Sequence, residues 1–360
     1  MYSPDHLFFL LSGLFILALV FTLLVNSVFM RFFRTFGIRE NAPGMVRWNA
    51  SSKPAFGGIG FFIVFLFAFA AYGVIFPKEA DPFRPELVGL LAATGLGFLM
   101  GLADDAYNTR PLLKFLTQVG CGVLLVATGT SIHLFHIPLL DQALTVLWVV
   151  GMMNAINMLD NMDAITSVVA LAILLAALCF QLLTGSAADA HTTLIIAVCG
   201  ALGGFLFFNW HPSRMYMGDT GSQFLGILLA YIGIHYFWNG TSLQGAAEPW
   251  RQVCTALTVF ILPLADTSTV SINRMLRGNS PFVGGKDHTT HHLSYAGLTD
   301  AQVAMAFGGL GLTSGFLGVV ALRFIPVWLP WHSFLYIGYC AVVSGSLFAL
   351  TRSRKIDRSL

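Results

Sequence analysis

The stretch Met217-Gly-Asp219-Thr-Gly-Ser222 separates two apolar runs, at 192–210 and 223–238. Asp219 therefore lies at the mouth of two segments that can enter a bilayer, in a chain that is only 10% charged. A charge there is unfavourable unless it binds a partner. The glycines let the backbone approach a ligand closely, and Ser222 can cap the following helix. This pattern predicts that Asp219 holds a metal ion at the edge of a membrane.

The composition extends this interpretation to the whole chain. Of 360 residues, 56% are hydrophobic, whereas a soluble domain has about 45–50% apolar and about 25% charged residues. The net charge of +2 is small, and the basic residues are clustered, which argues against a nucleic-acid partner. The five cysteines lie in apolar runs, where we expect them to pack rather than form disulfides.

Apolar runs long enough to cross a bilayer recur along the chain. They lie at 7–30, 55–76, 87–103, 112–130, 142–158, 164–184, 192–209, 220–238, 251–272, 301–322 and 333–351. The first has no basic segment before it and no small-residue cleavage site, so we expect an uncleaved helix. The runs predict an all-α fold, a polytopic membrane helical bundle of about eleven transmembrane helices, in one domain over residues 1–360.

The basic residues indicate how this bundle is oriented. One set of loops carries all of the 19 Lys and Arg residues except Lys78, Arg84, Arg251 and Arg323. The positive-inside rule places those loops in the cytoplasm. We therefore expect the N-terminus outside and the C-terminus in the cytoplasm.

Acidic and amide residues cluster at the predicted cytoplasmic ends of the spans. Asp104 and Asp105 are adjacent acids, which repel each other unless a cation or a base lies between them. A second group has three-residue spacing and lies on nearly one helical face: Asn154, Asn157, Asp160 and Asp163. Such groups can hold Mg²⁺ and its bound phosphates, because Mg²⁺ takes oxygen ligands and keeps several waters. The alternatives are a polar helix end and a polar packing stripe.

Basic side chains lie in the same loops. His288, His291 and His292, together with Arg274, suit binding of phosphate oxygens. A structural zinc site or an exposed loop that contacts anionic lipid are the alternatives. Lys53 precedes a Gly-Gly pair and indicates a phosphate contact, although membrane anchoring would also explain it. Lys114 either neutralises the acidic pair or snorkels to the membrane surface.

Together these stretches resemble one family, the polyprenyl-phosphate N-acetylhexosamine-1-phosphate transferases. The motifs are Lys53-Pro-Ala-Phe-Gly-Gly58, Gly101-Leu-Ala-Asp104-Asp105, Asn154-Ala-Ile-Asn157-Met-Leu-Asp160-Asn-Met-Asp163, Met217-Gly-Asp219-Thr-Gly-Ser222, and Arg277-Gly-Asn-Ser-Pro-Phe282 leading to His291-His292-Leu293. Each motif is weak alone, but five in this order over nearly the whole chain are specific.

The resemblance implies a bundle in the bacterial inner membrane with a cytoplasmic cleft. It implies transfer of a sugar 1-phosphate, with GlcNAc-1-phosphate preferred, from a UDP-N-acetylhexosamine to undecaprenyl phosphate, with release of UMP. The implied cofactor is Mg²⁺, with Mn²⁺ as a possible substitute. Membrane lipid and a second copy of the chain, in a homodimer, are the other possible partners.

Carried over by position, the resemblance implies a role for each motif residue. The metal ligands are Asp219 and Asp104. The catalytic residues are Asp104, Asp105, Asp160 and Asp163. The resemblance assigns Asn157, His291 and His292 to substrate binding. The basic character of Lys53, Lys114, Arg274 and His288 adds them to the expected substrate-binding residues.

The chain departs from the family motifs at several positions. Asn108 replaces a third aspartate that often follows the acidic pair, and Asn161 and Ala164 replace the glycines of the usual Asp-Gly-x-Asp-Gly. The stretch His288-Thr-Thr-His-His292 is one residue wider than the common histidine motif. The nucleotide loop can therefore adopt a different backbone shape, and the sugar specificity is open.

Several alternatives stay open on sequence. One aspartate of the pair can act as a base, or a covalent aspartyl-phosphate can form. Within the family, the phospho-MurNAc-pentapeptide translocase is the nearest rival. A UbiA-type prenyltransferase would leave the histidine loop unexplained, and a secondary transporter would need polar residues at mid-span, which are rare here.

Overall fold

The computed structural model describes residues 4–32, 53–76, 81, 83–184, 189–241, 248–281 and 285–353. Every regular element within these ranges is helical, which confirms the all-α prediction. Phe282 of the last motif and the C-terminal tail lie outside the described residues.

The helices, in chain order, are α1 (Pro4–Phe32), α2 (Gly57–Ile75), α3 (Pro85–Tyr107), α4 (Pro111–Ala127), α5 (Pro138–Leu159), α6 (Ile165–Thr184), α7 (Ala190–Asn209), α8 (Gly218–Ile232), α9 (Pro249–Val259), α10 (Ile261–Leu276), α11 (Thr289–Tyr295), α12 (Asp300–Arg323) and α13 (Pro330–Ser353). A π-helix, Gly233–Trp238, continues α8. Several helices begin at a proline, such as Pro85, Pro111 and Pro138, where the missing N–H breaks no helical bond.

The protein is a multi-pass membrane protein, but the count of about eleven spans is not confirmed. Eight helices are long and apolar enough to cross a membrane, and the pair α9 and α10 would be a ninth if counted as one span. α4 has only 17 residues, and α8 has 15 before the π-helix. α9 and α10 meet at 75°, because Pro263 has no N–H to donate to the carbonyl of Val259. The orientation of the termini stays a prediction.

α8 lies at the centre of the bundle, where it packs against α2, α3 and α5. Every residue from Thr220 to Ile232 is buried. Gly58 of α2 and Gly101 of α3 lie so close to the α8 backbone that a Cβ atom at either position would collide with it. This close packing brings the end of α3, with its acidic pair, beside the start of α8, with Asp219.

Candidate active site

Four helix ends meet around the ammonium group of Lys114. Its Nζ lies 2.6 Å from Asp219 Oδ2, 3.1 Å from Asp104 Oδ2 and 3.4 Å from Asn157 Oδ1. Asn157 in turn donates from Nδ2 to Asp219 Oδ1 at 2.9 Å and to Ser222 Oγ at 2.8 Å. The predicted metal ligands and two predicted substrate-binding residues are therefore in one cluster. Lys114 neutralises acidic groups here, as one of its two interpretations required.

The two adjacent aspartates of α3 have different partners. Asp104 accepts hydrogen bonds from the backbone N–H and the hydroxyl of Thr109, at 2.9 and 2.5 Å, as well as from Lys114. Asp105 accepts from the N–H of Asp219 at 3.0 Å, and from the N–H and hydroxyl of Thr220 at 2.9 and 2.6 Å. Asp105 therefore caps the N-terminus of α8, where a carboxylate is favourable. It acts as an anchor for the turn that carries Asp219.

Asp160 and Asp163 also diverge, although both lie in the loop between α5 and α6. Burial, and then the negative charge of Asp219, raise the pKa of Asp160 to about 8. Asp163 accepts hydrogen bonds from the backbone N–H of Ser213 at 3.0 Å and from the Ser213 hydroxyl at 2.7 Å. His211 Nδ1 lies 3.0 Å from the same carboxylate and 3.5 Å from Asp300 Oδ2. Asp160 therefore lies in the electric field of the cluster, whereas Asp163 holds a neighbouring loop.

The histidine segment is anchored by a buried acid of α10. Asp266 lies 2.8 Å from His288 Nδ1 and accepts from the N–H and hydroxyl of Thr289, at 2.8 and 2.6 Å. Burial, and then the positive charge of His288, lower the pKa of His291 to about 3. Burial, and then the charge of Arg277, also lower the pKa of His292. We therefore expect neutral imidazoles at these two positions, which can accept as well as donate hydrogen bonds.

Arg274 is held by an acidic partner inside the protein. It makes a two-bond pair with Asp287, at 3.0 and 2.6 Å, and donates to the carbonyl of Pro281 at 2.9 Å. Burial by itself would raise the pKa of Asp287, but the bonds and charge of Arg274 lower it below its ordinary value. Contact between Arg274 and substrate stays a prediction.

Two of the departures from the family motifs meet in space. The Thr290 hydroxyl donates to Asn161 Oδ1 at 2.5 Å, and Asn161 Nδ2 donates to the carbonyl of Met158 at 2.9 Å. α11 is thereby joined to the loop that carries Asp160. Ala164, at the other replaced glycine, keeps a left-handed backbone with φ of 66°, which is strained for a residue with a Cβ. Its N–H is held by Asn209 Oδ1 at 3.0 Å.

The residues around Lys114 fit a hard divalent cation. Oxygen atoms of Asp219, Asp104 and Asn157 converge on its ammonium, and the Ser222 hydroxyl lies next to them, bonded to Asn157. Oxygen is the ligand type that Mg²⁺ prefers. The two carboxylates of Asp104 and Asp219 share one lysine in this cluster, so a cation would reduce their repulsion. A second group, formed by Asp163, His211 and Asp300, has ligand atoms within 4.8 Å of one another and contains a nitrogen ligand.

Comparison with known proteins bears on what this cluster does. Residues 87–237 match the family model described as glycosyl transferase family 4. Over these residues the chain is similar to glycosyl transferase family 4. The enzyme class predicted from sequence, a transferase of phospho-sugars that acts in the membrane, is thereby confirmed.

Three relatives illustrate the range of family 4 transferases. A probable undecaprenyl-phosphate N-acetylglucosaminyl 1-phosphate transferase of Bacillus subtilis is 25% identical over 88% of this chain and 86% of its own length. A decaprenyl-phosphate N-acetylglucosaminephosphotransferase of Mycolicibacterium smegmatis is 29% identical over 58% of this chain and 56% of its own. A phospho-N-acetylmuramoyl-pentapeptide-transferase of Staphylococcus aureus is 26% identical over 84% of this chain and 97% of its own.

Three residues that organise this site are not among the predicted site residues. Asp266 and Asp287 orient the histidine segment and Arg274, and Ser213 joins Asp163 to the Lys53 segment. Asp266 had a visible signal, because an acid inside an apolar run is costly unless it is paired. Ser213 had no such signal in the sequence, since serines are common in loops.

Proposed function

We propose that this transferase moves GlcNAc-1-phosphate from UDP-GlcNAc to undecaprenyl phosphate and releases UMP. The observation that carries the proposal is the cluster of Asp104, Lys114, Asn157 and Asp219 at the meeting point of four helix ends. We place this cluster on the cytoplasmic face of the bacterial inner membrane. There the lipid phosphate, which reaches only the headgroup plane, can meet a cytosolic nucleotide.

The chain's own residues supply alignment and charge neutralisation, which is most of what phosphoryl transfer requires. Asp219 would hold Mg²⁺, which would supply positive charge to the diphosphate and the leaving UMP. Lys114 would add positive charge at the same point, and Asn157 holds Asp219 in orientation through its amide. The His291 and His292 imidazoles, neutral by our assignment, would bind the sugar-nucleotide as hydrogen-bonding groups rather than as cations.

Asp104 is the better candidate of the pair for the base that takes a proton from the lipid phosphate. Asp105 uses its carboxylate on the backbone of α8, whereas Asp104 is bonded to side chains and one loop N–H, those of Thr109 and the Lys114 ammonium that it shares with Asp219. Asp160, with its pKa of about 8, can hold a proton beside the cluster near neutral pH. A trapped phospho-enzyme would overturn this direct route in favour of a covalent one.

A second candidate is transfer of phospho-N-acetylmuramoyl-pentapeptide. The relative from Staphylococcus aureus that bears this name is matched along 97% of its length. The two candidates differ in the sugar-nucleotide they accept, and the contact between Asn161 and Thr290 lies in the region where that choice would be made.

The test is UMP release by membranes or purified protein supplied with undecaprenyl phosphate, Mg²⁺ and a panel of UDP-sugars that includes UDP-MurNAc-pentapeptide. We expect the fastest release with UDP-GlcNAc, loss of activity with a chelator, and recovery with added Mg²⁺. Asp219→Ala should be inactive but inserted, while Glu86→Gln, at the far end of α3, serves as the matched control. If no UDP-sugar in the panel gives UMP release, the transferase proposal is wrong.

A further inference from the structure

Ser213 forms a bridge between a buried carboxylate and a lysine of the proposed site. Its hydroxyl oxygen lies 2.7 Å from Asp163 Oδ1, and Lys53 Nζ lies 2.9 Å from the same oxygen. Ser213 is only 5% exposed, and Asp163 is 2% exposed. The Asp163 and Ser213 end of the bridge is therefore in the protein interior, and Lys53 at the other end is half-buried.

The chemistry of the groups determines which atom donates in each bond. An ionised carboxylate only accepts hydrogen bonds, so the single proton of Ser213 Oγ goes to Asp163. The oxygen is then left to accept from the Lys53 ammonium, which has three N–H donors and uses one of them here. The negative charge of Asp163 thus orients Lys53 through one hydroxyl, without a direct ion pair.

The backbone holds the two ends of this bridge together. The N–H of Tyr216 donates to the carbonyl of Pro54 at 2.9 Å, and the N–H of Gly57 donates to the carbonyl of Tyr216 at 3.1 Å. Lys53 Nζ also lies 5.1 Å from the centre of the Tyr216 ring, a favourable position for a cation. A Cβ placed on Gly218, next to Asp219, would lie 2.8 Å from the carbonyl of Ala55. The Lys53 segment therefore lines the turn that carries Asp219.

We propose that Ser213 is a positioning residue that aims Lys53 at the diphosphate of the sugar-nucleotide, with Asp163 as its anchor. This inference rests on the proposed function, because it needs Lys53 to contact substrate. Asp163 then contributes to substrate binding through Ser213 and Lys53 rather than by touching substrate.

The test is a double-mutant cycle on UMP release, with Ser213→Ala, Lys53→Ala and the double variant. Loss of the bond to a charged group should raise the KM for the UDP-sugar about tenfold in Ser213→Ala, with kcat within about twofold of the wild type. In the Lys53→Ala background, Ser213→Ala should raise the KM for the UDP-sugar by less than about a further twofold, because Ser213 acts only through Lys53. Ser213→Thr keeps the hydroxyl and should stay within about threefold of the wild type.

Thermal melting of each purified variant shows whether it is folded. Independent, multiplicative effects of the two substitutions on KM would overturn the role of Ser213 while leaving the transferase proposal intact. A wild type that releases no UMP with any donor would remove both proposals. If Ser213→Ala does not fold, the cycle of Asp163→Asn with Lys53→Ala tests the same coupling, and independent effects there would equally count against it.

Discussion

The adjacent aspartates Asp104 and Asp105 should respond in opposite ways to the same isosteric change. Asp105 accepts bonds from two backbone N–H groups and one hydroxyl at the start of α8. In Asp105→Asn the new NH₂ group must face at least one of these donors. Asp104→Asn can keep its oxygen toward Thr109 and loses the bond from Lys114, which retains Asp219 as a partner.

The magnitudes follow from these bonds. A buried donor left unpaired costs about 1–3 kcal/mol, and loss of a helix cap costs about 0.5–2 kcal/mol. We therefore expect Asp105→Asn to lower the free energy of unfolding by about 2–3 kcal/mol, seen as a fall of roughly 5 °C in melting temperature. Asp104→Asn loses one bond and should lower the free energy of unfolding by about 1 kcal/mol, while loss of a general base should lower kcat about 100-fold or more.

The assay pairs thermal melting with UMP release on the same purified samples. Equal falls in melting temperature for the two variants would refute the assignment of Asp105 as the cap of α8. Retained kcat in Asp104→Asn would refute its role as the base, whatever its stability.

Three further predictions concern groups around the site. Thr290→Val removes the bond to Asn161 and should raise the KM for the UDP-sugar a few-fold without lowering the melting temperature; an unchanged KM would mean that the contact does not shape the pocket. The folded pKa of Asp160, about 8, lies above its ordinary value of 3.8, so metal-free protein should lose stability as pH rises from about 4 to 8. In Asp160→Asn the melting temperature should depend less on pH over this range, and an unchanged pH dependence would contradict the raised pKa of Asp160. Gln118→Leu leaves the Asn154 amide without its partner at 2.7 Å and should lower the free energy of unfolding by about 1–3 kcal/mol; a stable variant would show that this amide pair contributes little.

The helical character of the chain could be predicted from its apolar runs, because a bilayer allows few backbone arrangements other than helices. The number of spans could not. Hydropathy does not reveal that Pro263 bends one run by 75° or that α4 stops after 17 residues. These features depend on backbone hydrogen bonds and packing rather than on average polarity.

The sequence was sufficient to reveal the resemblance to one family and to select the acids, amides and basic residues of the site, because few polar residues occur in so apolar a chain. It could not divide roles between neighbours. Asp104 and Asp105 look alike in sequence, yet successive residues of a helix point in different directions, so one meets Lys114 and the other meets the backbone of α8. Asp160 and Asp163 separate in the same way, toward Asp219 and toward Ser213. Only the tertiary structure brings Ser213 to Lys53, because residues 160 positions apart become neighbours only when the chain has folded.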